Sequence, residues 1–168
     1  EKGHVDCVET LLRGGANLEA VTNDGWTALI MAAQEGHADC VEALLQGGAN
    51  PEAKKPDGFT ALHIAAQKGH ADCVEALLKG GASAEAATNE GQTALHLAAQ
   101  NSHLDVVRLL LAAGADRELK NKQGKTALDL VGGAPNLMQE GKRAEVAKSL
   151  VDTKPVPKDK VRELCLSH

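Results

Sequence analysis

The chain has 168 residues, a net charge of -5 and 43% hydrophobic residues, yet only one tryptophan, one phenylalanine and no tyrosine. A core without large rings must be packed by small alanine, leucine and valine side chains, which suits helices that approach closely in thin layers rather than a deep globule. Nine acidic against four basic residues in positions 1–56 argue against nucleic acid as the main partner, and no apolar run approaches the roughly 18 residues of a membrane span.

In chain order, residues 1–23 read as the second half of a repeating unit: a helix from about Asp6 to Arg13 and its outgoing loop. Glu1 falls in register with Gln34, so further repeats are expected ahead of it. Sliding the sequence by 33 residues superposes Gly25, Gly58, Gly91 and Gly124, then Thr27, Thr60, Thr93 and Thr126, then Leu29, Leu62, Leu95 and Leu128. This period divides the chain into a partial unit 1–23, full units 24–56, 57–89 and 90–122, a capping unit 123–154, and a linker and tail at 155–168. In each full unit Thr27, Thr60 or Thr93 is the predicted N-cap of a first helix. A second helix follows Gly36-His37 or Gly69-His70 and ends at Gly47-Gly48 or Gly80-Gly81, where glycine accepts the left-handed cap. Between units, Asn23-Asp24-Gly25, Pro56-Asp57-Gly58, Asn89-Glu90-Gly91 and Lys122-Gln123-Gly124 are turn sequences.

The last unit starts in register and then departs from it: Asp129 stands where His63 and His96 recur, and Gly132-Gly133-Ala134-Pro135-Asn136 interrupts the pattern. A final helix from about Lys142 to Val151 is predicted, with Glu140, Lys142, Arg143, Glu145 and Lys148 giving the polar outer face that a terminal cap needs. Lys154-Pro155-Val156-Pro157 reads as a linker, and Lys158 to Leu166 as a short helix with Val161, Leu164 and Cys165 on one side.

The run Gly58-Phe59-Thr60-Ala61-Leu62-His63-Ile64-Ala65-Ala66-Gln67-Lys68-Gly69-His70, followed by Val74, Leu77, Leu78, Gly81 and Ala82, resembles the hallmark of the ankyrin repeat family. The resemblance extends over roughly residues 1 to 151. Ala28, Ala61, Ala94 and Ala127 replace the proline usual in that family, a change a helix tolerates because alanine is the best helix former. The resemblance implies an all-α solenoid of stacked helix-turn-helix units with β-hairpin fingers set at right angles to the helix pairs. It also implies a protein–protein interaction module whose fingers and first helices line a concave groove.

Cys7, Cys40 and Cys73 recur at the period and Val106 takes the same place in the next unit, so these thiols are expected to be buried, reduced and structural. Units spaced about 10 Å apart cannot bring them within disulfide reach, which favours a reducing, cytoplasmic location. His4, His37, His70 and His103 open the second helices, and His63 and His96 lie in the first; rungs so spaced cannot share one metal ion. The family resemblance implies that they bond threonine hydroxyls and loop backbone, unit to unit. Glu19, Glu52, Glu85 and Glu118 form an acidic file in the outgoing loops, read as solvated carboxylates or as an attraction for a basic partner.

Trp26 and Phe59 share the fingertip position that Gln92 and Lys125 occupy in later units. They either anchor a partner, as buried rings do at interaction hot spots, or lean on an adjacent finger. The predicted partner-binding residues are Asn23, Asp24, Trp26, Gln34, Glu35, Asp57, Phe59, Gln67, Lys68, Glu90, Gln92, Gln100 and Asn101. The expected partner is an unidentified protein that sets an apolar anchor between the two rings and basic groups by Asp24, Glu35 and Asp57; neither nucleic acid nor a membrane is expected. Gly124-Lys125-Thr126 has the ending of a phosphate loop, but Leu119 stands where its first glycine belongs. The terminal Cys165-Leu166-Ser167-His168 fits a prenylation box poorly. No nucleophile, metal or phosphate motif is complete, so no catalytic residue, metal or cofactor is expected. The chain reads as a monomeric binding scaffold within a longer protein. Two other readings are the substrate-recruiting arm of a larger enzyme, such as a kinase or ubiquitin ligase, and a structural spacer in an assembly.

Overall fold

In the computed structural model, which describes residues 2–131 and 140–152, the chain forms eight α-helices among the described residues. They are α1 (Lys2–Arg13), α2 (Ala28–Glu35), α3 (Ala38–Gln46), α4 (Ala61–Lys68), α5 (Ala71–Lys79), α6 (Ala94–Gln100), α7 (Leu104–Ala112) and α8 (Glu140–Asp152). Two layers result. Helices α2, α4 and α6 pack side by side in one, α1, α3, α5, α7 and α8 in the other, and the pairs α2–α3, α4–α5 and α6–α7 join them. The contacting side chains are small: Ala33, Ala65, Ala66, Ala98 and Ala99 are fully buried in the first layer, and Val41, Val74 and Val107 in the second. Leu29, Leu62 and Leu95 run along the first layer, each contributing about 2 kcal/mol on burial.

Each first helix starts at its predicted threonine, with Thr27 Oγ1 accepting the Ile30 amide at 3.2 Å. Helices α3, α5 and α7 open after His37, His70 and His103, and α3 and α5 are capped by Gly47 and Gly80, each followed by a left-handed glycine, Gly48 (φ 95°) and Gly81 (φ 93°). At Gly36 and Gly69 a left-handed backbone coincides with a close approach: a Cβ there would lie 2.8 Å from His70 Nδ1 and 2.5 Å from His103 Nδ1 respectively. Ser102 holds the third such position, buried and at φ 56°, where α8 presents Lys142 and Glu145.

Helix α1 begins at Lys2 rather than near Asp6, so His4 lies inside it. Cys7 is exposed, against expectation: among the described residues no first-layer helix packs beside it as α2 and α4 do beside buried Cys40 and Cys73. Among the described residues a short 3-10 turn, Leu128–Leu130, stands for the first helix of the last unit. Helix α8 forms close to its expected bounds, with Val146 and Leu150 buried against the stack. The Gly132–Asn136 interruption, the linker and the tail helix lie outside the described residues.

The fingers are tight turns, and no β-strand occurs among the described residues. In the first, the Gly25 amide donates to the Thr22 carbonyl and the Thr22 amide to the Trp26 carbonyl, at 2.9 and 3.0 Å. The bond that would extend this into a strand ladder goes elsewhere: the Trp26 amide donates to Thr22 Oγ1 at 3.1 Å. Thr88 and Asn121 divert the amides of Gln92 and Lys125 in the same way.

Candidate protein-binding face

Two periodic files of side chains emerge, one at the finger turns and one at the ends of the first helices. None of the thirteen predicted residues is buried, although the helices that carry them are largely sealed. Asn23, Asp24, Glu35, Asp57, Lys68 and Glu90 are exposed; Trp26, Gln34, Phe59, Gln67, Gln92, Gln100 and Asn101 are half-buried. Some are already engaged: Gln34 Nε2 donates to Glu35 Oε1 at 3.2 Å, and Asn101 Nδ2 to the Leu97 carbonyl at 2.9 Å.

Trp26 and Phe59 both rest against the core, and a residue absent from the sequence-based set stands with them. Lys55 Nζ lies 4.4 Å from the centroid of the Trp26 ring and 5.8 Å from that of Phe59, so a cation occupies the approach where an apolar anchor was expected. The same ammonium pairs with Asp57 at 3.1 Å. Asp57 also accepts the Phe59 amide at 3.2 Å. Partial burial works against ionisation of Asp57, but the bonds from Lys55 and Phe59 outweigh it and hold its carboxyl below the usual range. Lys55 was discoverable from register. At the equivalent positions Thr22, Thr88 and Asn121 each accept the amide four residues on, which a lysine cannot do; Asp57 takes over that task and the lysine chain is free to lie along the rings.

Behind the face, His63 ties one unit to the next. The Thr60 amide donates to its Nδ1 at 3.2 Å and the hydroxyl lies at 2.8 Å, which places the proton on Nε2. Nε2 then donates to the carbonyls of Ala86 at 2.9 Å and Gln92 at 3.1 Å. His96 repeats this with Thr93 and the Lys125 carbonyl. His70 and His103 donate to the Gln34 and Gln67 carbonyls, both at 3.0 Å. Burial pushes the pKa values of His63, His96 and His103 down, so the neutral form that this bonding needs is favoured. Asp129 accepts the Thr126 amide and hydroxyl at 2.8 and 2.9 Å, which lowers its pKa. An acceptor-only carboxylate closes the cap but has no proton to send onward.

The acidic file is partly structural. Glu19 accepts the Asn50 amide at 2.9 Å and Glu52 the Ser83 amide at 2.8 Å, each from the loop one unit on. Arg117 was also missed from sequence: its Nη1 donates to the carbonyls of Leu150 and Val151 at 2.9 and 3.0 Å, holding the last turn of α8. The buried thiols are inert, with Cys73 pushed up to about 11 by burial. Among the described residues no three His, Cys, Asp or Glu side chains converge to hold a metal ion. No helix among them is long and apolar enough to cross a membrane.

The family model for ankyrin repeats (3 copies) matches residues 1–88, 40–121 and 80–159. The chain belongs to the ankyrin repeat family. A comparison with curated proteins found no match. Ankyrin repeats are generally protein–protein interaction modules, and the fold is typically non-catalytic. The family thus points to a protein as the class of partner.

Proposed function

We propose that the ankyrin stack binds its partner through the fingertips and the ends of the first helices, on the concave side, using the thirteen residues named above. The observation that carries this reading is that these period-related side chains all reach solvent from a scaffold whose first-helix histidines His63 and His96 are hydrogen-bonded behind them. A surface held in place in advance lowers the ordering cost of association. The units 24–56, 57–89 and 90–122 each contribute one fingertip and one helix end, with 123–154 as the cap. The unpaired thiols of Cys7, Cys40 and Cys73 fit a reducing, cytoplasmic setting. The module acts as a monomeric scaffold.

Trp26 and Phe59 are the proposed anchors, with Lys55 seated between them. The partner's apolar group meets the edges that the lysine leaves open, and its basic groups face Asp24 and Glu35 before Asp57, which is already paired. Replacing both rings with alanine is expected to weaken binding at least about tenfold, roughly 1.4 kcal/mol. The test captures partners with the wild-type chain and measures the leading one by calorimetry against the double variant. Unchanged affinity would overturn the proposed anchors.

A further inference from the structure

The fingers are not joined alike. Between the second and third, the Asn89 amide donates to the Asp57 carbonyl at 3.1 Å and Asn89 Nδ2 to the Pro56 carbonyl at 2.9 Å. Between the third and fourth, the Lys122 amide donates to the Glu90 carbonyl at 3.0 Å. The residue that would make this bond between the first and second fingers is Pro56, which has no amide hydrogen. The second tie is missing at the same junction. Where His63 and His96 send an Nε2 proton to the following finger, the first unit has Ile30, which has none to send.

Everything behind these fingers is continuous. Helix α2 packs on α4 as α4 packs on α6, His70 bonds the Gln34 carbonyl, and Glu19 receives the Asn50 amide. What joins the first finger to the second is the contact of Lys55 with the Trp26 ring and the packing of the Pro56 ring over Gly25. Neither is directional in the way a hydrogen bond is, and both permit sliding.

We propose that the junction between the first two fingers is a hinge: the turn carrying Asn23, Asp24 and Trp26 swings as an arm while α2 stays docked, letting the binding face adapt to its partner. The role in binding rests on the reading of that face given above; the hinge does not, because it belongs to the free chain. Such an arm is adjustable where the third and fourth fingers are held, so adaptation is confined to the side of the face that bears Trp26.

The test is amide hydrogen exchange on the chain without partner, comparing Thr22 and Gly25 with Thr88 and Gly91, which make the same turn bonds. The hinge predicts exchange about tenfold or more faster in the first finger, with α2 amides still protected. Pro56→Asn, which supplies the missing amide, should slow the first finger towards the rate of the third. Ile30→His should act in the same direction by restoring the other tie, and serves if the first variant folds poorly. Equal rates in the wild-type chain, fast exchange that neither variant slows, or loss of protection throughout α2 would each overturn the hinge. None of these outcomes bears on partner affinity, so failure of the hinge and failure of the proposed anchors are separately visible.

Discussion

The junction after the second full unit and the junction before it are built on one plan and joined with different chemistry. After it, a buried histidine and an asparagine amide bind finger to finger; before it, isoleucine and proline stand in their places and leave a lysine–tryptophan contact. The first-layer helices pack alike at both, so cohesion of the stack and registration of its fingers are separable properties. Apolar burial supplies the first, and a few directed protons supply the second.

The contrast is most strongly tested by His63→Ile, which gives the later junction the residue of the earlier one. It removes the acceptor of the Thr60 amide and the donor to two carbonyls, so a loss of about 2 kcal/mol is expected in urea unfolding. A loss near zero would mean that water serves these groups as well as the imidazole does. Acid provides a graded version of the same change. Because the folded-state pKa values of His63, His96 and His103 lie below the unfolded value of about 6.5, the unfolded chain binds more protons as pH falls. Their contribution is therefore complete above that value and is lost as pH drops through it towards the folded values. Urea midpoints measured from pH 7.5 to pH 5 should decline in the wild-type chain and less steeply in His63→Ile. The smallest expected effect lies at the third unit. Ser102→Gly relieves a left-handed serine and removes a buried hydroxyl without a hydrogen-bond partner, and a gain of about 1 kcal/mol is expected by thermal unfolding. A loss there would show that the hydroxyl is solvated in place.

Much of this is legible in the sequence, because a period of 33 exposes every departure from itself. Thr27, Thr60 and Thr93 mark helix starts, the doubled glycines mark helix ends, and the candidate residues follow from their register at the finger turns and first-helix ends. What stayed hidden depends on distance across units. Glu19 and Glu52 looked like solvated carboxylates because nothing in their own units accounts for them; their partners are backbone amides one unit along. Cys7 shares its register with two buried cysteines, but burial is conferred by the neighbouring layer and not by the residue. The fingers lack strand pairing because the side chains of Thr22, Thr88 and Asn121 compete for the amides that a ladder would use, a contest that composition alone does not decide. Lys55 was overlooked because its role follows from what it cannot accept.

Ser102 bears on how the array could be lengthened. At the two earlier equivalents a side-chain carbon would collide with the imidazole arriving from the following repeat. A serine there makes its own repeat unfit to receive such a successor, so grafting another consensus copy behind α7 calls for glycine at 102 as well as a new sequence. One position thus helps to set how many copies the array can hold.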